Sequence, residues 1–558
     1  MNDPRKPRQQ SKEELLARVR AAARQEQFLE VVSADEARAR FDAHLDLSTM
    51  PAESVSISAA LSRVLAHDVV AAADAPPFDR ANVDGFAVRA ADTADASDSA
   101  PKRLTLNSEV IASGHAPVIE VRPGTATAIA TGGVIPRGAD AVIMIEHTEL
   151  VEQDAPTIEL RRATAPGQFV SYAGSDIARG ETLLRWGTRI GSREIGMLAA
   201  CGLASIEVVR KPKVAVLSTG DELVAPGTAL RSAGVYDSNG AIIAAAVTES
   251  GGEAVAYGAF PDSETALENA VRKALSECDM VVLSGGTSKG AGDLSHRIVS
   301  RLGRPGVLVH GVALKPGKPL CLAVVGGKPI VVLPGFPTSA IFTFHTFVAP
   351  VIRARAGLSP EAAEKVSARV PVRIASELGR KEFVLVALTQ GQDGMVAFPT
   401  AKGSGAVTSF SQADGFLEID ALASTLEAGT QAEVTLIGSA ARPPDLVIVG
   451  SQDIALDVVV GALAEQGFSV RTLAVGSFGG LAAAKRGECD IAPVHIVDPA
   501  TGRYNEHLAV SGLSLVRGWQ RLQGIVFRPN DKRFEGKSVD AVRELVTGDP
   551  DCLMVNRN

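Results

Sequence analysis

The middle of the chain alternates apolar runs with segments of helical pattern. From Lys213 onward, the runs KVAVLST, DMVVLSGG and PIVVLPG are almost wholly apolar and end in glycine-containing turns. Between them lie DSNGAIIAAAVTESGG, which predicts a helix capped by Ser or Asn and stopped by Gly-Gly, and a predicted helix over residues 264–277. Apolar strands that alternate with helices predict a mostly parallel α/β sheet, whose ligand site lies beyond the carboxyl ends of the strands.

The flanking regions have other patterns. Short runs separated by Gly, Pro and Asp predict β-rich structure, and helices are predicted at ADEARARFDAHL and SREIGMLAACG. After the linker SAARPP, a second α/β unit begins at DLVIVGSQD. The predicted parts are a mobile leader (1–30), a linker domain (31–67 with 161–205), a β-rich insert (68–160), an α/β domain (206–360), a small β domain (361–440) and the second α/β domain (445–558).

Composition narrows the functional classes. The 558 residues carry 56 Lys and Arg against 64 Asp and Glu, a net charge of -8, so no broad basic surface for nucleic acid is expected. No apolar run reaches the roughly 18 residues of a membrane span, and no signal-peptide segment occurs near the N-terminus. The five cysteines lack the close spacing of a zinc site or a disulfide framework. We therefore expect a cytoplasmic protein that binds neither nucleic acid nor a membrane.

Three turns of the α/β domain combine complementary chemistry. They contain Gly220-Asp221-Glu222, Gly285-Gly286 followed by Asp293, and Lys315-Pro316-Gly317-Lys318. Glycines let backbone N–H groups approach phosphate oxygens, carboxylates bind Mg²⁺, and lysines neutralise charge. A single glycine-rich turn is common in any α/β protein, but three such turns on one sheet favour a nucleotide or phosphoester site.

The order of short motifs over about residues 31–437 resembles that of the molybdopterin molybdenumtransferase family (MoeA, related to the gephyrin E domain). The motifs are PPFDRANVDGFAVRAADT, ATGGVIPRGADAVIMIEHTE, GSDIARGETLL, VAVLSTGDELV, YDSNG, LSGGTSKGAGD, LKPGKP and LPGFPTSA. The resemblance implies an elongated four-part fold with a β-rich insert, a MogA-like α/β domain that binds molybdopterin, and a small β-barrel domain. It also implies a homodimer, formed through the linker domain, in which the insert of one protomer reaches the α/β site of the other.

The resemblance also implies an activity. The family inserts molybdate into adenylylated molybdopterin, releasing AMP and giving molybdenum cofactor, with Mg²⁺ or another divalent cation. Contact with other proteins of molybdenum cofactor biosynthesis is expected as well.

The resemblance further implies roles for individual residues. The positions implied for catalysis are Asp84, Thr131, Asp176, Glu222, Asp262, Asp293, Lys315 and Lys318. Those implied for molybdopterin or nucleotide binding are Gly220, Asp221, Ser238, Asn239, Ser284, Gly285, Gly286, Pro334 and Gly335. Those implied for molybdate are Lys315, Lys318, Ser339, Arg380 and Ser404, and those implied for the metal are Glu222 and Asp293.

Some of these positions have structural alternatives. Asp262 fits a cap of the helix over residues 264–277 as well as it fits a site. Without the resemblance, Arg380 would be a surface residue of the β domain and Ser404 a loop cap. Phe336 departs from the family, many of whose members have Asn there, so packing would replace a polar contact near the pterin phosphate or the dimer interface.

The second α/β unit resembles a periplasmic-binding-protein-like domain, related to molybdate-binding and LysR-type ligand-binding domains. The matching runs are VGSQDIALDVV, GSFGGLAAAKRGECDIA and HIVDPATGRYNE. Ser451 and Ser477 each lie between a predicted strand and a predicted helix, where they either contribute to an anion site or cap the helix. The final run DCLMVNRN stops just after an apolar strand, where such a domain should cross back to its first lobe, a pattern that either a truncated chain or a frame change would give.

Two other functions stay open. One is a molybdopterin adenylyltransferase, whose fold resembles residues 210–350; the insert and the small β domain argue against it. The other is a molybdate-responsive regulator or scaffold without catalysis. The presence of Asp84, Asp293, Lys315 and Lys318 favours the transferase.

Overall fold

The computed structural model describes residues 30–152, 155–286, 294–360, 364–400, 407–437, 444–508, 512–516, 518–520, 525–549 and 552. The predicted leader, the linker SAARPP, Asp293 and Ser404 therefore lie outside the described residues, apart from residue 30 of the leader and Pro444 of the linker. The chain divides into two compact units, of which the first spans Met1–Thr389 and Gly394–Pro443, and the second spans Gln390–Asp393 and Pro444–Asn558.

The described helices are α1 (Ala34–Asp42), α2 (Ser192–Ala200), α3 (Ser238–Glu249), α4 (Glu264–Glu277), α5 (Leu294–Val299), α6 (Pro337–Thr343), α7 (Ala349–Arg355), α8 (Val407–Ser411), α9 (Ile454–Glu465), α10 (Gly476–Lys485) and α11 (Val539–Gly548). The strands of the first unit up to the α/β domain are β1 (Ala52–Ser56), β2 (Val69–Val70), β3 (Arg80–Ala81), β4 (Gly85–Val88), β5 (Lys102–Ile111), β6 (Thr125–Ile129), β7 (Ala141–Met144), β8 (Thr148–Val151), β9 (Thr157–Leu160), β10 (Val170–Ser171), β11 (Thr182–Leu184) and β12 (Ser205–Val209). The later strands are β13 (Lys213–Thr219), β14 (Leu223–Val224), β15 (Val235–Tyr236), β16 (Glu253–Phe260), β17 (Met280–Ser284), β18 (Pro305–His310), β19 (Leu314–Lys315), β20 (Cys321–Val325), β21 (Lys328–Leu333), β22 (Lys365–Arg369), β23 (Ile374–Ala375), β24 (Lys381–Gly391), β25 (Gly394–Pro399), β26 (Gly415–Ile419), β27 (Thr425–Leu426), β28 (Gln431–Leu436), β29 (Leu446–Gly450) and β30 (Val470–Ala474).

The α/β domain has a six-stranded sheet in the order β16-β13-β17-β21-β20-β18. The first four strands are parallel and the last two pair antiparallel, which confirms the predicted mostly parallel sheet. Alternate residues of a strand point to opposite faces. Accordingly Val214 and Val216 pack in the core that contains α3 and α7, and Ala215 and Leu217 pack in the core that contains α4 and α5. A strand covered on both faces must be apolar at every position, which is why the runs are unbroken.

The β-rich insert forms a second six-stranded sheet, in the order β7-β4-β6-β5-β9-β8. Its core contains Leu104, Ile158 and Leu160. The linker region is built by antiparallel pairing of β1 with β12 and of β2 with β11, together with α2. Helix α1, grouped with the linker region by the sequence, instead packs Ala37 and Phe41 in a core of the α/β domain.

The small β domain has the strand order β19-β24-β25-β22-β28-β26, and a further pairing of β24 with β26 gives it a barrel character. Strand β19 belongs to the α/β domain in sequence, so its parallel pairing with β24 joins the two domains. In the second unit, β29 and β30 pair in parallel and precede α9 and α10 respectively. None of the described helices is long and apolar enough to span a bilayer.

Candidate active site

The polar residues of the α/β domain meet where β13, β17 and β21 end. The register places Ser218 beside Ser284, and Ser284 beside Leu333, which immediately precedes Pro334 and Gly335. The predicted binding residues of these strands and of α3 are therefore brought to one edge of the sheet, as the parallel pairing requires.

Asn239 connects the elements at this edge. Its Nδ2 donates to Ser284 Oγ at 2.7 Å and to the carbonyl oxygen of Gly335 at 2.8 Å. The side chain is only 8% exposed, although it lies in the first turn of α3. The N-cap of α3 is Asp237, whose Oδ1 accepts from Gly240 N at 2.9 Å, so the predicted Ser or Asn cap is wrong.

Three buried polar atoms here have no hydrogen-bond partner among the described residues. They are Ser218 Oγ, Asn239 Oδ1 and Thr338 Oγ1, and the last lies at the start of α6, three residues after Gly335. We call Ser218, Asn239, Ser284 and Thr338 the polar floor. A buried polar atom without a partner costs about 1–3 kcal/mol, so such atoms at a strand-end site indicate a ligand or ordered water that completes them.

The glycines of the turns serve the packing more than the predicted N–H donation. The N–H of Gly220 donates to Phe260 O at 3.1 Å, and the N–H of Gly285 donates to Leu333 O at 3.2 Å. Gly285 has φ +98°, and a Cβ there would lie 2.3 Å from the carbonyl oxygen of Thr219. The absence of a side chain, rather than a free N–H, is what these two positions require.

Carboxylates surround the turn that follows β13. Asp262 Oδ1 accepts from Thr219 Oγ1 at 2.8 Å, and Asp221 Oδ1 accepts from Asp262 N at 3.1 Å. Helix α4 is capped by Ser263, so the alternative in which Asp262 caps this helix is wrong. The Glu222 carboxylate lies beside Gly220, where a Cβ would meet its oxygens at 2.8–2.9 Å.

The lysine turn, residues 315–318, packs beside α6. A Cβ at Gly317 would lie 2.7 Å from Thr343 Cγ2, and Ser339, one turn earlier in α6, is buried. Lys315 pairs with Glu382 of β24, and Arg380 pairs with Glu377 at 3.0 Å. Four of the five residues implied for molybdate therefore lie on neighbouring elements, and the fifth, Ser404, is outside the described residues.

A separate group forms in the insert. Asp84 Oδ1 accepts from Thr131 N at 2.6 Å and from Thr131 Oγ1 at 2.9 Å. Both donations stabilise the ionised carboxylate, the backbone N–H more than the hydroxyl, so the pKa of Asp84 lies below its usual value. Asp176 N donates to Ala75 O at 3.1 Å, which holds the Asp176 loop beside the segment that leads to Asp84.

Phe336 is the N-cap residue of α6 and makes no side-chain cap; it is 62% exposed. We expect Phe336→Asn to raise the free energy of unfolding by about 1 kcal/mol, because the amide oxygen would accept from a free N–H of the first turn. Urea denaturation measures this, with Phe336→Ala as the control that removes the ring without adding a cap. Equal stability of the two variants would contradict the expectation.

The two serines predicted for an anion site in the second unit, Ser451 and Ser477, each have a neighbour that bears on that prediction. Asp453, not Ser451, caps α9, and its Oδ1 accepts from Ala455 N at 2.9 Å and Leu456 N at 3.1 Å. An anion at this helix end would face a carboxylate, which disfavours the site at Ser451. Ser477 lies inside α10 rather than at its cap, and its Oγ accepts from His495 N at 3.1 Å. An anion site at Ser477 stays a prediction.

Comparison with known proteins follows the same division. Residues 32–202 match the MoeA N-terminal region (domain I and II), residues 215–354 match the probable molybdopterin binding domain, and residues 367–437 match the MoeA C-terminal region (domain IV). Residues 460–558 match the PBP superfamily domain.

Relatives are similar over the first unit. The molybdopterin molybdenumtransferase 2 of Mycobacterium tuberculosis is 34% identical over 385 residues, which are 68% of this chain and 94% of that protein. The molybdopterin molybdenumtransferase of a Nostoc species is 35% identical over 363 residues, 64% of this chain and 81% of that protein. A solved structure of a molybdopterin biosynthesis MoeA protein from Pyrococcus horikoshii is similar at a TM-score of 0.55 and 32% sequence identity. The similarity covers 73% of this chain and 100% of that chain.

The fold and the strand-end site define a multidomain α/β protein with a polar, glycine-lined site at the strand ends of its α/β domain. The lysine turn joins that domain to the small β domain. With these similarities, the chain belongs to the molybdopterin molybdenumtransferase (MoeA) family, and it carries an additional C-terminal PBP-like domain.

Proposed function

We propose that this protein inserts molybdate into adenylylated molybdopterin, giving molybdenum cofactor and releasing AMP. The observation that carries the proposal is the polar floor, where Ser218 Oγ, Asn239 Oδ1 and Thr338 Oγ1 are buried without partners. A pterin suits such a floor because its edge carries both hydrogen-bond donors and acceptors. Membership of the MoeA family supports the same substrate.

The lysine turn supplies charge for the second substrate. We assign molybdate to Lys315, Lys318, Ser339 and Arg380, together with Ser404. Lysine and arginine neutralise a divalent oxyanion, and serine hydroxyls donate to its oxygens. Water adds to the phosphoanhydride between AMP and the molybdopterin phosphate, and AMP leaves as that bond breaks. Molybdate in turn loses one oxygen as water when the sulfur atoms of molybdopterin bind molybdenum. The chain's part in this step is to orient both substrates and to stabilise the charge that develops on the phosphate oxygens.

A divalent cation fits the donors at the turn after β13. Among the described residues, no group of three or more His, Cys, Asp or Glu side chains would hold a metal alone. Mg²⁺ does not require such a group, because it is usually bound through one or two carboxylates together with substrate phosphates. We assign the divalent cation to Glu222 and Asp293. Because Gly220 has no side chain, the Glu222 carboxylate has room beside it. Bound there, Mg²⁺ would neutralise phosphate charge.

We further propose that two copies associate so that Asp84, Thr131 and Asp176 of one face the α/β site of the other. The match of residues 32–202 to the MoeA N-terminal region supports this arrangement, because the family resemblance implies it. The homodimer predicts complementation between variants with defects in different groups. An equal mixture of Asp84→Ala and Lys315→Ala proteins, exchanged through mild denaturation, should regain about a quarter of the wild-type activity, because half the dimers carry one intact site.

Sedimentation of the same samples checks that dimers form, and each variant refolded alone is the control. An inactive mixture of confirmed heterodimers would show that the two groups act within one copy. We place the reaction in the cytoplasm, in keeping with five cysteines that form no disulfide.

The function is tested by supplying purified protein with adenylylated molybdopterin, molybdate and Mg²⁺, and by using the product to activate a molybdenum-free apoenzyme. We expect activation that requires all three and is abolished by chelation of the metal. A protein that binds molybdate without giving cofactor would be a regulator or scaffold. One that adenylylates molybdopterin from ATP and then stops would be an adenylyltransferase.

A further inference from the structure

Lys315, the first residue of the lysine turn, is held by a carboxylate that the sequence does not single out. Glu382 Oε1 lies 3.1 Å and Oε2 lies 3.3 Å from Lys315 Nζ. Ser376 Oγ donates to Glu382 Oε2 at 2.7 Å. The Glu382 side chain is only 13% exposed, so this carboxylate is fixed from two sides and largely shielded from solvent.

The backbone aligns this pair. Strands β19 and β24 are parallel and place Lys315 opposite Glu382, and Lys381 N donates to Ala313 O at 3.0 Å. Neighbouring side chains on one face of a paired ladder lie within reach of each other. The ion pair therefore belongs to the junction of the α/β and small β domains, beside the proposed oxyanion site.

The carboxylate lowers the positive charge that an oxyanion meets. Of the three cations assigned to molybdate, Lys315 faces Glu382 and Arg380 faces Glu377. Two negative charges thus offset part of three positive ones. A site with three unpaired cations would hold any divalent tetrahedral anion more tightly, including sulfate, which is not a substrate.

We propose that Glu382 is a positioning residue for the insertion step. It holds Lys315 in place and weakens oxyanion binding, so that molybdate is passed on to the pterin and sulfate does not accumulate in the site. This proposal rests on the proposed function and deepens it, since it assigns control of oxyanion affinity to a residue that need not touch either substrate.

The test is Glu382→Gln, which keeps the shape of the side chain and removes its charge. We expect the KM for molybdate and the inhibition constant for sulfate each to fall about fivefold, with a lower kcat. Glu382→Asp, which restores the charge, should return both constants toward wild-type values. The matched control is Glu418→Gln, because Glu418 pairs at 3.2 Å with Lys381, a residue of the same sheet that is not assigned to molybdate. The constants of this control should stay within about twofold of wild type.

A merely structural role for Glu382 would lower thermal stability and kcat while leaving both anion constants unchanged, and that result would overturn the proposal. Wild-type protein that makes no cofactor would contradict the proposed function instead. The Glu382 proposal would then be decided by equilibrium binding of molybdate to the same variants, where an unchanged Kd for Glu382→Gln would overturn it.

Discussion

Gly285→Ala is expected to abolish cofactor formation and to lower the free energy of unfolding by about 4 kcal/mol, from backbone strain and overpacking together. Gly285 has φ +98°, a conformation that residues with a side chain rarely adopt, and its added Cβ would lie 2.3 Å from the Thr219 carbonyl oxygen. The oxygen belongs to the backbone and the position of the Cβ is fixed by the backbone, so neither atom can move aside without shifting β13 or β17. Those two strands carry Ser218 and Ser284 of the polar floor, and the activity is therefore lost with the geometry.

The matched control is Gly326→Ala in the turn between β20 and β21. Gly326 also has a positive φ, +56°, but a Cβ there would meet no atom within 4 Å. Its cost should be about 1 kcal/mol, the strain of the left-handed conformation alone. Urea denaturation of both variants separates overlap from strain. Equal losses of stability would show that the contact with Thr219 is relieved at little cost.

Asn239→Asp should reduce kcat/KM about 100-fold and lower the free energy of unfolding by about 2 kcal/mol. The carboxylate is isosteric, but it cannot donate to Gly335 O or supply the donor that Asn239 gives to Ser284 Oγ. It also puts a charge at a position that is only 8% exposed. Strand β17 and the turn after β21 would lose the bridge that aligns them, and the acceptor offered to the ligand would change from neutral to charged.

Asn107→Asp is the control for this substitution. Asn107 Nδ2 donates to Thr127 Oγ1 at 2.8 Å within the insert sheet, away from the polar floor. Its replacement should cost about 1 kcal/mol of stability and leave steady-state turnover close to wild type. If the two aspartate variants lose activity to the same degree, the loss at Asn239 reflects general destabilisation, and the role assigned to the polar floor is wrong.

The α/β sheet could be predicted well from the sequence, because apolar strand runs and helix patterns are both features of short, continuous segments. Unbroken apolar runs identify strands covered on both faces, and the helix predicted over residues 264–277 coincides with α4. Helix caps were predicted poorly. Asp237 and Asp453 cap α3 and α9 in place of the predicted neighbours, because one residue more or less decides which oxygen reaches the free N–H groups.

Contacts between segments that lie far apart in the sequence could not be predicted from local sequence patterns. Thr338 joins the polar floor only because β13, β17 and β21 end together, and its lack of a partner is a property of the folded site. Glu382 reaches Lys315 through the pairing of β19 with β24, strands far apart in the sequence. Strand β24 begins with Lys381 and Glu382, and nothing in its half-apolar pattern predicts that Glu382 contacts Lys315.

In the proposed function, the strand-end site couples the binding of molybdate to the cleavage of adenylylated molybdopterin. The most direct measurement is AMP release from that substrate by the purified full-length protein in the presence of Mg²⁺, with and without molybdate. This coupling predicts that molybdate starts AMP release, with one AMP formed for each molecule of molybdenum cofactor, and that Asn239→Asp slows the release about 100-fold. No molybdate-dependent AMP from the wild-type protein, or release at the same rate from the Asn239→Asp variant, would contradict it.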